Sequence, residues 1–371
     1  MNDSRPRSVP RASDAEVAAR VGRTVRDEIR ATAAYPVPKS SGMIELHANE
    51  NPWPLPGDVR AKLVAAVAAV RLNRYPEGAG DEVKAALARA LPLPEGAALV
   101  LGNGSDELIQ IVTTAIAAPG ATMLAPEPTF VMYRIYAELA HVRCAGVPLR
   151  ADFTVDEGAL LAAIARERPA LVWLASPNNP TGRVVPLPTI ERVLAAAPGL
   201  VVVDEAYADF AGASLLPRVL EFANLVILRT LSKVGLAGVR LGYAVGHPAW
   251  IAEFDKVRSP YNVNALTQAA VPVVLAASDV LAGQVAAILR ERDRLARALA
   301  ALPGVTVFPS DANFLVARVI DAPAAAAALR AKGILVKNLH GGHPLTANCL
   351  RITVGTPAEN DALLAALRAT P

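Results

Sequence analysis

The chain has 371 residues, of which 53% are hydrophobic, and its 37 basic and 34 acidic residues give a formal net charge of +3. This length allows two domains, or one large α/β unit with a smaller one attached. The charges are mixed along the chain, which disfavours a nucleic-acid-binding protein, and no apolar stretch approaches the roughly 20 residues that span a membrane. We therefore expect a soluble protein with no nucleic-acid or membrane partner.

The N-terminal residues 1–34 are predicted to form a tail with a helix near residues 14–33. They contain no apolar core of a secretory signal, and their acidic residues argue against a transit peptide. The two cysteines, Cys144 and Cys349, lie far apart and form no CxxC motif. We expect a cytoplasmic protein without disulfides and without a metal site.

The central part of the chain alternates between apolar runs and helical patterns. The predicted strands are 97–101, 121–125, 142–147, 170–175, 200–204, 225–230 and 239–245. The predicted helices are 105–117, 131–140, 157–166, 187–196 and 248–257. Strands that are apolar throughout and separated by helices indicate a mostly parallel sheet covered by helices on both faces.

The pattern changes after a predicted long helix at 262–300. Short strands in VTVFP, NFLVARV, ILVKN and CLRITV then accompany helices at 322–331 and 357–369. We predict a large domain at residues 68–270 and a smaller α/β domain at residues 271–371. The segment 35–67, which contains MIELHANENPWP, is expected to pack on the small domain.

Polar residues follow the predicted strands at the edge where open parallel sheets bind ligands. The first strand leads into Gly104, Ser105 and Asp106 at the start of a helix, where free N–H groups favour an anion. The strand at 170–175 leads into SPNNPTG, which contains Asn179. Taken alone, the first is an ordinary helix cap and the second a stiff turn.

Two further strand ends carry charged side chains. The strand LVVV runs into Asp204, followed by Tyr207, and a carboxylate at a buried strand end is costly without a cationic partner. The strand at 225–230 is followed by Ser232 and Lys233, with Arg240 close behind.

This set of groups matches the needs of pyridoxal 5′-phosphate (PLP). The cofactor requires a lysine for a Schiff base, a carboxylate that keeps its ring nitrogen protonated, and N–H, hydroxyl and arginine donors for its phosphate. Of the seven lysines, Lys233 alone follows a buried strand in the large domain. Burial and cationic neighbours lower the pKa of a lysine amine, which lets it act as a nucleophile and a base.

The motifs SPNNPTG, VVVDEAY, LRTLSKVGLAGVRLGY and CLRITVG resemble those of the fold-type I PLP-dependent aminotransferases, and most closely the histidinol-phosphate aminotransferases. The resemblance runs from about Tyr35 to residue 368. It implies an α/β fold, with a mostly parallel seven-stranded sheet between helices and a smaller C-terminal α/β domain.

The resemblance also implies roles for single residues. Lys233 is the Schiff-base lysine and the acid/base catalyst, Asp204 pairs with the pyridinium nitrogen, and Asn179 and Tyr207 bond the phenolic oxygen of the ring. The residues implied to hold the cofactor phosphate or its rim are Gly104, Ser105, Asp106, Ser232 and Arg240.

Other implied roles concern the partner subunit and the substrate. Tyr75, in LNRYPEG, resembles a tyrosine that reaches the phosphate of the neighbouring subunit, which implies a homodimer with shared sites. Tyr35 and Asn49 resemble substrate-side residues, and Arg351 resembles the anion anchor of the small domain.

At two positions the chain departs from the family pattern. Phe130 stands where a tyrosine usually stacks on the cofactor ring, so stacking is kept but a hydroxyl is lost. Lys337 stands where many members have an arginine, and lysine lacks the bidentate fork of a guanidinium.

The sequence therefore predicts a cytoplasmic PLP-dependent transaminase that uses histidinol phosphate and 2-oxoglutarate in histidine biosynthesis. An aromatic amino-acid aminotransferase and a phospho-amino-acid decarboxylase of the same family are the alternatives in substrate. A non-catalytic PLP-fold regulator and a nucleotide-dependent dehydrogenase are alternatives of other classes. The first commonly carries a DNA-binding module, which is not visible here, and the second needs GxGxxG, whose third glycine is missing.

Overall fold

A computed structural model describes residues 11–34 and 38–368 of the chain. It divides at Ser41 into two units, Met1–Ser41 and Gly42–Pro371. The first unit contains helices α1 (Asp14–Thr24) and α2 (Asp27–Ala31). The prediction of one helix at 14–33 is wrong, because Val25 adopts an extended backbone with φ −86° and ψ 130° that ends α1.

The second unit contains two sheets and the remaining helices. Its strands are β1 (Ile44–Leu46), β2 (Ala98–Asn103), β3 (Thr122–Glu127), β4 (Arg143–Pro148), β5 (Leu171–Ala175), β6 (Leu200–Asp204), β7 (Leu225–Thr230), β8 (Leu241–Gly246), β9 (Thr306–Phe308), β10 (Phe314–Arg318), β11 (Ile334–Asn338) and β12 (Cys349–Thr353). Its helices are α3 (Gly57–Ala68), α4 (Asp81–Ala90), α5 (Ser105–Ile116), α6 (Val131–Leu139), α7 (Glu157–Glu167), α8 (Leu187–Ala196), α9 (Pro248–Val257), α10 (Ala265–Leu275), α11 (Ser278–Ala300), α12 (Ala322–Ala331) and α13 (Pro357–Arg368).

The large sheet has seven strands in the order β2-β8-β7-β6-β5-β3-β4. Strand β8 runs antiparallel to both of its neighbours, and the other pairs are parallel. Both faces are buried: along β6, Val201 and Val203 pack into one apolar cluster and Leu200 and Val202 into another. This burial explains why the strands are apolar throughout, and it confirms the predicted fold class.

The small sheet has the strand order β1-β11-β12-β10-β9. Strand β1 comes from the N-terminal part of the chain and pairs in parallel with β11, with Ile44 opposite Ile334. The segment that contains HANENP is thereby anchored at one edge of this sheet. The division into domains at residues 35–67, 68–270 and 271–371 stays a prediction.

The prediction of one long helix at 262–300 is wrong. The chain forms α10 and α11, which meet at an angle of 78°. Pro272 lies inside α10 and cannot donate a backbone hydrogen bond, and Ala277 has a non-helical backbone with φ −110° and ψ 37°. Helix α10 packs on α3 and α4, whereas α11 packs on β9, β10 and α13. The predicted domain boundary between residues 270 and 271 therefore falls inside α10, the helix that packs on α3 and α4.

Within residues 11–34 and 38–368, no single helix is long and apolar enough to cross a membrane. The bent pair of α10 and α11 meets the criteria of length and composition only when its two helices are taken together.

Candidate active site

Asp204 lies at the carboxyl end of β6, where its side chain is buried. The Tyr133 hydroxyl donates a hydrogen bond of 2.6 Å to its Oδ2 atom, and the backbone N–H of Ala206 donates one of 3.0 Å to Oδ1. Burial is the main reason that the pKa of Asp204 is raised to about 6; the nearby charges of Asp106 and Glu205 act in the same direction, and the hydrogen bonds from Tyr133 and Ala206 oppose them. A cationic group beside this carboxylate would relieve the cost of burying its charge.

Lys233 follows β7 in a single wide turn, Ser232–Leu236, which contains Gly235 at φ +119°. Its Nζ atom donates a hydrogen bond of 3.2 Å to the carbonyl oxygen of Ala48 and lies 5.8 Å from the centre of the Tyr207 ring. The structure thus brings Lys233 to Tyr207, which lies three residues beyond Asp204 in the chain. The amine and the carboxylate reach this site from the neighbouring strands β7 and β6.

Asn49 lies at the centre of a buried hydrogen-bond network. Its side-chain amide donates to the Tyr207 hydroxyl at 2.9 Å, and its backbone N–H donates to Thr353 Oγ1 at 2.9 Å. The amide of Asn313 in turn donates to the Asn49 carbonyl oxygen at 3.0 Å. Asn49, which resembled a substrate-side residue, orients the Tyr207 hydroxyl in this structure.

Arg351 extends from β12 of the small sheet to the large one. Its Nη1 atom donates to Asn179 Oδ1 at 2.5 Å, and its Nη2 atom donates to the carbonyl oxygen of His47 at 2.6 Å. Its guanidinium lies 5.5 Å from the Phe314 ring centre. Lys337 is directly opposite Arg351 in the pairing of β11 with β12, so both side chains emerge on one face of the sheet. The predicted anion anchor and the predicted ring ligand Asn179 are therefore in direct contact.

Four of the residues predicted to hold a phosphate, Gly104, Ser105, Asp106 and Arg240, lie together at the start of α5. Gly104 has φ +81° and precedes the helix, whose first residue is Ser105. A Cβ atom on Gly104 would lie 2.5 Å from Arg240 Nη2, so the arginine crosses closely over the glycine backbone. Arg240 Nη2 is also 3.7 Å from Asp106 Oδ2, and Ser232 is buried and accepts a hydrogen bond of 3.0 Å from the Thr230 hydroxyl.

An aromatic stack lies beside Asp204. Phe130 precedes α6, and its ring makes an edge contact with Tyr133 at 5.7 Å between centroids. Tyr133 stacks in turn on Trp173, at 4.6 Å and an interplanar angle of 4°. The sequence interpretation missed Tyr133, although it lies only three residues after Phe130, in the segment PEPTFVMY.

Two predicted residues are not brought to this site by the described contacts. Tyr75 is 82% exposed, and its ring stacks on that of Tyr261 at 4.7 Å between centroids. Tyr35 lies outside the described residues. The sequence interpretation also missed Thr353, which lies in the motif CLRITVG, and Asn313, which is the first residue of the quoted strand segment NFLVARV.

The groups at this edge fit PLP. A buried carboxylate with two negative neighbours suits a protonated pyridine nitrogen. A glycine that brings the backbone close to an arginine at a helix start suits a phosphate. The amine of Lys233, which would form the Schiff base, lies 5.8 Å from the centre of the Tyr207 ring.

Comparisons with known proteins agree with this chemistry. Residues 41–367 match the model of the family "Aminotransferase class I and II". The chain is 54% identical over 348 residues to a histidinol-phosphate aminotransferase of Chromobacterium violaceum, covering 94% of this chain and 98% of that protein. It is 53% identical over 360 residues to histidinol-phosphate aminotransferase 1 of Ralstonia nicotianae, covering 95% and 96%.

The solved structure of one similar protein contains the cofactor. The crystal structure of histidinol-phosphate aminotransferase from Sinorhizobium meliloti, in complex with pyridoxal 5′-phosphate, superposes with a TM-score of 0.83 at 28% identity, covering 94% of this chain and 97% of that chain. The chain therefore belongs to the class I and II aminotransferases, as a member of the PLP-dependent histidinol-phosphate aminotransferase family.

Proposed function

We propose that the chain transfers the amino group of L-histidinol phosphate to 2-oxoglutarate and forms imidazole-acetol phosphate and L-glutamate, a step of histidine biosynthesis. The observation that carries this proposal is the 54% identity to a histidinol-phosphate aminotransferase over 94% of this chain and 98% of that protein. The residues that match the family model, 41–367, include both sheets and the N-terminal strand β1.

Lys233 is the catalytic residue in this proposal. PLP, when bound, supplies an electron sink that stabilises negative charge on the substrate carbon. The Lys233 amine, which donates to the Ala48 carbonyl oxygen at 3.2 Å, holds the cofactor. The same amine, when free, would act as the acid/base that moves the proton of the substrate Cα.

Three residues orient the cofactor ring in this proposal. Asp204 pairs with the ring nitrogen, which suits its burial and its two negative neighbours. Asn179 and Tyr207 donate to the phenolic oxygen, and their partners in the structure hold them in place: Arg351 for Asn179 and Asn49 for Tyr207. Phe130 contributes an apolar ring face beside this group.

The cofactor phosphate is held at the start of α5. The residues proposed to hold the phosphate or its rim are Gly104, Ser105, Asp106, Ser232 and Arg240. Free N–H groups at the start of a helix and a guanidinium both favour a phosphate dianion. Arg240 would exchange its 3.7 Å contact with Asp106 for the phosphate, since both groups of that pair are half exposed.

The substrate is anchored by the small sheet. Arg351 binds the phosphate of histidinol phosphate or a carboxylate of 2-oxoglutarate, with Lys337 beside it on the same sheet face. Asn49 belongs to the substrate side in this proposal, and the substrate-side role of Tyr35 stays a prediction from the resemblance. Within the described residues, Arg351 donates to the Asn179 amide oxygen and to the His47 carbonyl oxygen, and either anion would compete with these acceptors for the guanidinium.

The active enzyme is a cytoplasmic homodimer in this proposal. Tyr75 is 82% exposed, yet its ring is fixed by stacking on Tyr261. An ordered aromatic side chain on the surface suits a residue that contacts the cofactor phosphate of a second subunit.

Turnover by the purified, PLP-loaded protein tests the proposed reaction. We expect kcat/KM for histidinol phosphate to exceed that for phenylalanine, and a preference for phenylalanine would overturn the choice of substrate. Lys233→Ala should lower kcat by at least about a thousandfold, because the residue acts as acid and base. Lys256→Ala is the matched control, since that lysine lies on α9 and pairs with Glu253 at the surface.

Chemical trapping tests the assignment of Lys233 separately. Borohydride reduction followed by mass spectrometry should place the cofactor adduct on Lys233 in the parent protein and in Lys256→Ala. An adduct on another residue, or full activity of Lys233→Ala, would refute the mechanism whatever the substrate is.

A further inference from the structure

We propose that Tyr133 is a positioning residue that holds the Asp204 carboxylate ionised and correctly oriented for the cofactor ring nitrogen. The inference rests on the proposed role of Asp204 and adds to it a residue that none of the sequence motifs singled out. Tyr133 does not touch the reacting atoms; it acts through Asp204.

The contact between the two side chains is short and fully buried. The Tyr133 hydroxyl donates to Asp204 Oδ2 at 2.6 Å, which lies in the range of strong O–H···O⁻ hydrogen bonds. Tyr133 is 1% exposed, and the parallel stack on Trp173 at 4.6 Å restrains its ring. Because the edge contact with Phe130 restrains the ring from another side, the hydroxyl cannot swing away from the carboxylate.

Both carboxylate oxygens of Asp204 are fixed, and each has a different donor. Tyr133 bonds Oδ2, and the backbone N–H of Ala206 bonds Oδ1 at 3.0 Å. These two bonds set the plane of the carboxylate relative to β6. Each oxygen has two lone pairs, so one remains on either atom for a third donor such as a ring N–H.

The electrostatic surroundings make this donor important. Burial raises the pKa of Asp204, and the charges of Asp106 and Glu205 act in the same direction, whereas the Tyr133 hydrogen bond lowers it. Burial also raises the pKa of Tyr133 well above its ordinary value, with the charge of Asp204 and the nearby Tyr207 acting in the same sense. Tyr133 therefore remains protonated and can only donate to Asp204.

The substitution Tyr133→Phe removes the hydroxyl and keeps the ring that stacks on Trp173. In apo-protein prepared from the holoenzyme, we expect the Kd for PLP at pH 7 to rise by about tenfold to a hundredfold, as expected for the loss of a hydrogen bond to a charged group. PLP affinity should fall towards acid pH, and the midpoint of this fall should lie at higher pH in Tyr133→Phe than in the parent protein. The reason is that Asp204 loses a group that favours its ionised form.

A double-mutant cycle with Asp204→Asn shows whether the effect passes through Asp204. The Tyr133→Phe change should cost little affinity in the Asp204→Asn background, since the asparagine carries no charge for the hydroxyl to stabilise. Tyr243→Phe is the matched control: Tyr243 is also buried, and it lies beside Arg229 rather than Asp204. We expect it to leave the pH midpoint of PLP binding unchanged.

Near-UV circular dichroism of each apo-protein verifies that the variants are folded. An unchanged pH midpoint in folded Tyr133→Phe, or an equal loss of affinity with and without Asp204, would overturn the inference and leave the proposed function intact. If Asp204→Asn binds PLP as tightly as the parent protein, the proposed role of Asp204 fails and the inference with it.

Discussion

Replacing Gly104 with alanine should damage both the folding and the cofactor site, for two separable reasons. Gly104 has φ +81° and ψ 167°, a backbone conformation essentially restricted to glycine, and a side chain there costs about 1–3 kcal/mol. The new Cβ would lie 2.5 Å from Arg240 Nη2 and 3.1 Å from its Cζ. Arg240 must therefore move away from the start of α5.

The displacement of Arg240 has unequal consequences for stability and for binding. Its contact with Asp106 is 3.7 Å long and half exposed, so losing it costs the apo-protein only about 0–1 kcal/mol. A guanidinium bond to a buried phosphate is charge-assisted and worth about 1.5–3 kcal/mol, or roughly tenfold to a hundredfold in affinity. We therefore expect a modest loss of stability and a larger loss of PLP binding.

The control is Gly120→Ala. Gly120 has φ +80°, but a Cβ on it would meet nothing within 4 Å. Urea unfolding of the apo-proteins should show a loss of stability in both variants, whereas PLP titration should show weaker binding in Gly104→Ala alone. Unchanged PLP affinity in Gly104→Ala would refute the reasoning that Arg240 needs the space beside Gly104 in order to bind the phosphate.

Three further substitutions test the surroundings of the site. Glu205→Gln removes the charge that pairs with Arg229 at 3.0 Å in a buried position and should cost roughly 3–5 kcal/mol in urea unfolding. Asp204→Asn should stabilise the apo-protein at pH 8 by up to about 3 kcal/mol, because a pKa raised from 3.8 to about 6 opposes folding whenever the group is ionised; this gain should shrink as the pH falls below 6 and vanish below about pH 3, where the acid is protonated in both states. Thr353→Val leaves the buried N–H of Asn49 without its acceptor and should cost about 1–3 kcal/mol in thermal or urea unfolding.

Each of these has an outcome that contradicts it. The control is Glu191→Gln, which breaks the half-exposed pair with Arg218 and should change the free energy of unfolding by no more than about 1 kcal/mol. If Glu205→Gln loses no more stability than this control, burial does not make its ion pair important. A gain in Asp204→Asn that does not depend on pH would show that the carboxyl does not titrate as its burial implies. Full stability of Thr353→Val would mean that Asn49 finds another acceptor.

The sequence was sufficient to predict the large sheet, because its signal is local. Strands β5, β6 and β7 are short and mostly apolar runs, and polar residues come at or soon after their ends: Ser176 follows β5, Asp204 is the last residue of β6, and Ser232 and Lys233 follow β7 after Leu231. Strand ends of a parallel sheet meet at one edge. The presence of Asp204 and Lys233 at that edge could therefore be predicted before any contact was known.

Helix ends within apolar sequence were harder to predict. The stretch from Ala265 to Ala300 has the composition of one helix, but the chain turns by 78° between α10 and α11. The turn lets α10 cover α3 and α4 while α11 packs against the small sheet. The position of the turn is set by what each half packs against, which no local pattern contains.

The side-chain partners of the site were decided by tertiary structure alone. Asn49 bonds Tyr207 across 158 residues of sequence, and Arg351 bonds Asn179 across 172. Sequence spacing fixes which face of a strand or helix a residue occupies, but the partner on the opposite element depends on how two separately formed sheets meet. Residue types and local periodicity thus determined the chemistry available to this protein, and only the packing of its distant segments decided which groups touch, because hydrogen bonds require atoms within about 3 Å of each other.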